Sequence, residues 1–110
     1  NISVSNTDDH LRNHGFLLAP KGWKLSPFYD IIPDPYKQIL SLNITETDNA
    51  KDVRLALDTA RYYGLSETQA KADVSRIQAM IRAKWRSIAA KYGIPRGEQE
   101  RMKPAFEARP

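Results

Sequence analysis

Apolar positions in the second half of the chain recur at helical spacing. Between Ser66 and Tyr92 they lie three or four residues apart, which predicts one long helix with a single buried stripe: Val74, Ile77, Ile81, Trp85 (or Ile88) and Tyr92. Ser66 and Gln69 form a capping-box pattern at its start, and Gly93 follows its end. The sequence predicts no longer helix than this one.

Two shorter helices are predicted on either side. Thr47 or Asp48 is the candidate N-cap of a helix that runs to about Tyr63, with Gly64 as its C-terminal stop. After Pro95, residues 97–107 are expected to form a last short helix that Pro104 limits.

The first half of the chain has strand and loop patterns instead. The strand composition of residues 14–18, the turn signal at 20–22 and the alternation at 23–25 predict a β-hairpin. Prolines at 33 and 35 predict an irregular, stiff connection, and residues 38–44 a short buried strand or extended segment. The whole pattern predicts an α+β fold that is mainly α, with one hairpin and three to four helices.

Composition excludes several classes of protein. The chain has 110 residues, enough for one domain at most or a piece of a larger one. It contains no cysteine, which excludes disulfides and Cys-based zinc sites and fits a reducing, cytoplasmic location. No run of about 18 apolar residues is present, so we expect no membrane span, and no signal peptide is visible.

The net charge of +4 is spread unevenly along the chain. Residues 1–47 carry four basic and five acidic side chains, whereas residues 48–110 carry thirteen basic and eight acidic ones. Arg82 and Arg86, on the predicted long helix, are therefore candidate contacts for nucleic acid or an acidic partner. The alternative is an ordinary solvated helix surface.

A polar segment before the hairpin carries the candidate chemistry. Residues 6–13 hold two carboxylates, an imidazole, a guanidinium and two amides. Asp8 and Asn13 lie five positions apart, the interval of a protein-kinase catalytic loop, and Asp30 follows 22 residues after Asp8. In phosphoryl transfer one Asp orients the attacking hydroxyl, while an Asn and another Asp hold Mg²⁺. These intervals predict a kinase site, although each residue alone is also a common turn former.

The neighbouring side chains have competing interpretations. Asp9 is a rival to Asp8 for the catalytic role, but it lies four rather than five residues from Asn13, and we expect it to face solvent or cap a turn. His10 and His14 have the spacing of a helical zinc pair, but the loop signals around them favour a His10 that holds the loop by hydrogen bonds. Arg12 either contacts a phosphate or lies on the surface. The tryptophans and tyrosines are not spaced as a base-stacking platform, and we expect most of them to pack in the core.

Three segments together resemble one protein family. Asn6-Thr-Asp-Asp-His-Leu-Arg-Asn13, then Gly15-Phe-Leu-Leu18, then Trp23-Lys-Leu-Ser-Pro-Phe-Tyr-Asp30 are similar to the HipA family pattern of N-x-D-x-H-x-K-N, a hairpin and L-x-P-x-Y-D. HipA proteins are bacterial serine/threonine kinases that act as toxins in type II toxin–antitoxin pairs. Close similarity covers residues 3–35.

The resemblance implies a role for each matching residue. Asp8 takes the position of the catalytic Asp, while Asn13 and Asp30 take those of the two Mg²⁺ ligands, with ATP as the phosphate donor. Arg12 stands where the family usually has Lys, which keeps the charge but changes the donor geometry.

The resemblance also implies a division of the chain and a set of partners. Residues 1–47 would form the catalytic and metal-binding loop with the hairpin, and residues 48–110 the helical subdomain of a C-terminal lobe. The nucleotide-covering loop and the Lys–Glu pair of a kinase have no counterpart before residue 6, so we expect the N-terminal nucleotide-binding lobe to be absent from this sequence and the isolated chain to be inactive.

Implied partners are a protein substrate, for example an aminoacyl-tRNA synthetase, and a HipB-like helix-turn-helix antitoxin, which gives an indirect association with DNA. A basic helical binding module or a non-catalytic regulator is the alternative class of function.

Overall fold

In the first part of the molecule, a two-residue turn reverses the chain between two apolar segments. The computed structural model describes residues 1–107 of the chain. Strands β1 (Phe16–Ala19) and β2 (Gly22–Leu25) pair in antiparallel orientation, and their register places Leu18 opposite Trp23. Gly22 has a φ of +118°, a conformation that glycine adopts without a steric penalty. The predicted hairpin is thus confirmed.

Three α-helices make up the second part. They are α1 (Val53–Thr59), α2 (Glu67–Lys91) and α3 (Arg96–Phe106). A 3-10 turn (Ala60–Tyr63) extends α1 and ends at Gly64, whose φ of 73° is left-handed as expected for a helix stop. Three helices and one antiparallel hairpin confirm the predicted, mainly helical fold class. None of the helices in residues 1–107 combines the length and apolar character needed to cross a membrane.

The N-terminus of α2 is capped as predicted, but only half of the capping box forms. The Ser66 hydroxyl accepts a hydrogen bond from the Gln69 backbone N–H at 3.1 Å. The Gln69 side chain donates to the Asp73 carboxylate at 3.1 Å instead of returning to the backbone of Ser66. The serine side chain therefore caps the helix alone.

Helix α1 begins later than the sequence suggested, because neither Thr47 nor Asp48 caps it. Asp48 closes a turn instead: its N–H donates to Thr45 Oγ1 and its carboxylate accepts from the Ala50 N–H, each at 2.9 Å. Asp52 is the actual N-cap. Asp48 is thus unavailable as a cap because a local turn already uses its hydrogen-bonding groups.

The loops before α1 contain less regular structure than expected. The predicted strand at 38–44 is reduced to a single bridge between Ile39 and Ala50, although Leu40 is buried. At the other end of the chain, Pro104 lies inside α3 and does not end it. The last turn remains closed because the Glu107 N–H, beyond the proline, donates to a carbonyl of α3 at 2.9 Å.

An apolar core lies between α2 and α3. Trp85 is 7% exposed and stacks on Phe106 with 4.8 Å between ring centroids. Its indole N–H donates to Glu107 Oε1 at 3.2 Å. The prediction of one buried stripe on α2 is wrong for part of its length, because Ile77 and Tyr92 are 42% and 77% exposed.

Most aromatic side chains lie on the surface, and the expectation that they pack in the core is wrong. The cause on the hairpin is its architecture: with only two strands, each strand face lacks a covering layer among the described residues. Large parts of α2 are likewise not covered. Trp85 is buried, whereas the exposed tryptophans and tyrosines in the described part are Trp23, Tyr29, Tyr36, Tyr62, Tyr63 and Tyr92.

Candidate active site

Three consecutive buried polar residues anchor the segment that leads into the predicted catalytic loop. Ser5, Asn6 and Thr7 are 0%, 1% and 2% exposed. The Ser5 hydroxyl donates to the Ala105 carbonyl at 3.0 Å and accepts from Lys51 Nζ at 2.9 Å. Because buried polar groups require partners, these bonds fix the segment against α3 and against the loop that precedes α1.

The lysine in this cluster is electrostatically perturbed. Burial lowers the pKa of the Lys51 ammonium, because a charged group loses hydration there, and the nearby Asp34 carboxylate offsets part of this effect. Asp34 also donates its backbone N–H to the Ser5 carbonyl at 2.9 Å. The buried segment is thus bonded to residues from three distant parts of the chain.

The structure brings Asn13 and Asp30 together. Asn13 Nδ2 donates to Asp30 Oδ2 at 3.0 Å, and Asn13 Oδ1 accepts from the His10 backbone N–H at 3.2 Å. Asn13 is buried, whereas Asp30 is exposed. Asp30 has a φ of 56°, a left-handed conformation that is uncommon outside glycine and concentrates at functional sites.

Asp8 lies at the exposed end of the buried polar segment. Its carboxylate forms no hydrogen bond or ion pair with the other described residues. An exposed carboxylate without a partner is free to accept a hydrogen bond from a hydroxyl group.

Asp9 has a structural position, and the expectation that it faces solvent or caps a turn is wrong. Its side chain is 13% exposed, and Oδ2 accepts from His14 Nε2 at 2.9 Å and from Asn1 Nδ2 at 2.7 Å. These two bonds hold the carboxylate inside the loop. Within residues 1–107, no three His, Cys, Asp or Glu side chains gather into a metal-binding group.

His10 and Arg12 differ in how they are held. His10 Nδ1 is buried and has no hydrogen-bond partner within the described residues. The bond that connects His10 to Asn13 comes instead from the His10 backbone N–H. The Arg12 side chain is exposed and unpaired in that same part of the chain. Its carbonyl oxygen accepts a hydrogen bond from the Tyr29 hydroxyl at 2.8 Å.

Asn6 and Tyr29, for which the sequence predicted no role, connect residues 6–13 to the segment around Asp30. Besides the Tyr29 bond to Arg12, Asn6 Oδ1 accepts from the Ile32 N–H at 3.2 Å, and Asn6 Nδ2 donates to Asn1 Oδ1 at 2.8 Å. Both residues stand within the segments that resemble the family pattern, which was the available signal. Their partners lie 17 and 26 residues away, so no local pattern reveals the contacts.

The two candidate basic contacts on α2 are not equivalent. Arg82 is exposed and forms no ion pair with the described residues. Arg86 pairs with Glu100 at 2.8 Å and Glu107 at 3.5 Å, and its guanidinium lies 4.4 Å from the Trp85 ring centroid. Arg86 thus links α2 to α3, which leaves Arg82 the more available of the two.

Asn13 and Asp30 fit a magnesium ion in chemical terms. Mg²⁺ takes oxygen ligands and is commonly held by one or two carboxylates together with substrate phosphates and water. Asp30 supplies an exposed carboxylate. Asn13 has the amide oxygen that Mg²⁺ prefers, but in this structure Oδ1 accepts from the His10 N–H and Nδ2 faces Asp30, so the amide must turn for both side chains to hold one ion. Exposure of Asp30 leaves room for phosphate oxygens and water to complete the coordination.

Comparison with known proteins identifies the family. The model of the HipA-like C-terminal domain matches residues 1–85, a range that includes the Asn13–Asp30 pair, the hairpin, α1 and most of α2. No curated protein and no solved structure matches the chain. The matched domain is part of a HipA-type kinase family. The chain therefore belongs to the HipA-like C-terminal domain family.

Proposed function

We propose that this chain forms the catalytic-loop and metal-binding part of a HipA-like serine/threonine protein kinase that transfers the γ-phosphate of ATP to a protein hydroxyl. The observation that carries the proposal is the 3.0 Å contact between Asn13 and Asp30, which lie 17 residues apart in sequence. These are the residue types that hold Mg²⁺ in protein kinases.

Each residue of the site has a distinct task in this proposal. Asp8 accepts a hydrogen bond from the substrate hydroxyl and orients it, and its exposed, unpaired carboxylate supports this role. Asn13 and Asp30 hold Mg²⁺, which when bound neutralises charge on the phosphates. Arg12, exposed next to Asn13, contacts a phosphate oxygen, and His10 supports the loop through its backbone.

The biological setting is proposed from the family alone. We infer a cytoplasmic toxin of a type II toxin–antitoxin system, with a protein substrate such as an aminoacyl-tRNA synthetase. A HipB-like helix-turn-helix antitoxin would be its partner and would link it indirectly to DNA.

A division of labour follows from the parts that a kinase requires. Kinases hold ATP with a strand Lys that pairs with a helix Glu, and no ion pair of that kind forms within residues 1–107. We therefore propose that residues 1–47 contribute the catalytic loop and hairpin, that residues 48–110 support them, and that nucleotide-binding elements come from outside these 110 residues. The isolated chain is then expected to transfer no phosphate, and measurable ATP-dependent phosphorylation by it would contradict this division.

The deciding test is Mg²⁺-dependent phosphoryl transfer by the longest natural product of the gene, beside its Asp30→Asn variant. Loss of a metal ligand should lower the rate about 100-fold or more. Asp34→Asn is the matched control, because an Asn at that position can still accept from the backbone N–H groups of Tyr36 and Lys37. The proposal is contradicted if no phosphate is transferred, or if Asp30→Asn and the control retain equal rates.

The exposed cation on α2 favours a second candidate function, docking on nucleic acid or an acidic partner. Arg82 is exposed without an internal ion pair in the described region. Arg82→Glu should therefore weaken binding of a DNA duplex and reduce its salt dependence more than Lys21→Glu, the same charge change on the hairpin turn. Phosphoryl transfer should stay unchanged in both variants. Equal binding losses would reduce this function to unspecific charge attraction.

A further inference from the structure

We propose that Tyr29 and Asn6 are positioning residues that hold Asp30 beside Asn13 from its two sides. The inference rests on the proposed metal-binding role of Asp30 and Asn13 and assigns two residues that do not themselves touch metal or substrate.

Tyr29 acts on the N-terminal side of Asp30. It directly precedes Asp30, and its hydroxyl donates to the carbonyl of Arg12, which directly precedes Asn13. The 2.8 Å bond therefore joins the residues that come immediately before the two site residues. The next pair of residues, Asn13 and Asp30, is joined by the 3.0 Å bond, so the two segments are connected at two successive positions.

Asn6 acts on the C-terminal side of Asp30. Its Oδ1 accepts from the N–H of Ile32, two residues after Asp30, at 3.2 Å, and its backbone forms a bridge with Pro33. The Asn6 side chain is itself fixed, because it is 1% exposed and donates to Asn1 Oδ1. The chain that leaves Asp30 is thus bonded to the segment that enters Asp8.

The backbone of Asp30 explains why two such bonds are needed. A non-glycine residue in the left-handed region persists only where its surroundings hold it there. Asp30 is exposed, so burial of its side chain does not supply this restraint. When Tyr29 or Asn6 loses its bond, the backbone at Asp30 is free to relax, and its carboxylate moves away from Asn13.

The test uses NMR spectroscopy on the 110-residue chain, first without metal. We expect the Tyr29→Phe variant, which lacks only the hydroxyl, to lose the nuclear Overhauser effect between the Asn13 side-chain amide and Asp30. Its melting temperature should fall by no more than about 4 °C, because one exposed hydrogen bond contributes only about 0.5–1 kcal/mol to stability. Tyr36→Phe is the matched control, since the Tyr36 hydroxyl is exposed and forms no bond with the described residues.

Asn6→Ala is the second variant, with Asn43→Ala as an exposed control of the same residue type. It should also lose the signal between Asn13 and Asp30. If Asn6→Ala does not fold, Tyr29→Phe decides alone. A Tyr29→Phe chain that keeps the signal at wild-type strength overturns the proposal.

A titration with MnCl₂ separates this inference from the proposed function. Manganese broadens the resonances of nuclei near a bound ion, so wild-type protein should lose the signals of Asn13 and Asp30 first. Tyr29→Phe should require about 10-fold more Mn²⁺, the size of effect expected from an outer-shell residue. No selective broadening in the wild type would contradict the metal site, while the metal-free signal would still report on positioning.

Discussion

The first half of the molecule buries mainly polar side chains, whereas the second half buries mainly apolar ones. In the first half the least exposed residues are polar, at 0–2% for residues 5–7, while Leu18 and Trp23 of the hairpin are 72% and 70% exposed. In the second half the buried residues are mostly apolar, and Trp85 packs between helices at 7% exposure. The usual relation between hydrophobicity and burial is thus reversed in the half that carries the candidate site.

This difference teaches how each half is ordered. Apolar packing is not directional, so the helical half tolerates small shifts as long as its volume stays filled. Hydrogen bonds require defined distances and angles, and buried polar groups are costly when a partner is lost. The first half therefore gains positional precision from its polar core, which suits a site that must place two side chains side by side.

The largest effect is expected from substitution of Trp85 in the second half, measured against Trp23 in the first. Trp85→Ala should lower the free energy of unfolding by about 3–5 kcal/mol, because it removes the aromatic centre of the α2–α3 contact. Trp23→Ala should cost less than about 1 kcal/mol, the range of a cross-strand pair. Urea unfolding followed by circular dichroism measures both values. Similar losses in the two variants would remove the distinction between the halves.

An intermediate loss of stability is expected when a bond to the buried polar residues 5–7 is removed. Lys51→Met should lower the free energy of unfolding by about 1 kcal/mol at pH 7, because it removes the hydrogen bond to the Ser5 hydroxyl. Lys21→Met, on the exposed hairpin turn, is the control and should leave stability unchanged.

The pH dependence of the same variant has a defined sign. Because the folded protein holds Lys51 at a pKa below its ordinary value of 10.5, the unfolded chain binds more protons between these two values. The stability of the wild type relative to Lys51→Met should therefore rise as pH increases from below the lowered pKa toward 10.5. Parallel stability curves for the two proteins at pH 8, 9 and 10 would contradict this coupling.

The smallest effect on stability is expected on the hairpin surface. Leu18→Lys should change the free energy of unfolding by no more than about 0.5 kcal/mol, because the side chain is already exposed. The added charge should nevertheless reduce self-association through the apolar strands. Light scattering at increasing protein concentration checks the second effect. A large loss of stability would mean that Leu18 packs more tightly than its exposure indicates.

Elements with local signals were predictable from the sequence. Helix α2 follows from its apolar spacing and the Ser66 cap, and the hairpin follows from two apolar segments around a turn. The start of α1 was not predictable, since Asp48 and Asp52 are both suitable caps and the turn that Asp48 forms with its neighbours decides between them. The prediction that most aromatic residues pack in the core failed because residue type does not reveal whether another layer covers a strand.

The candidate site, too, was only partly predictable from the sequence. Residue spacing predicted Asp8, Asn13 and Asp30, and the structure brings the last two together. The bonds of Tyr29 and Asn6 were not predictable, because they depend on how loops distant in sequence meet in space. Spacing indicates which residues carry the chemistry, whereas the long-range bonds that orient them appear only in the fold.

The bond between the Ser5 hydroxyl and the Ala105 carbonyl has a consequence for protein synthesis. The two residues lie 100 positions apart, so a ribosome produces the whole segment from Asp8 to Asp30 long before the partner of Ser5 emerges. Closing so long a loop costs entropy, although the cost grows only slowly with loop length. The Asn13–Asp30 contact and the bonds around it lie within residues 6–33 and can form earlier, whereas the attachment of Ser5 to α3 has to wait until Ala105 has been translated.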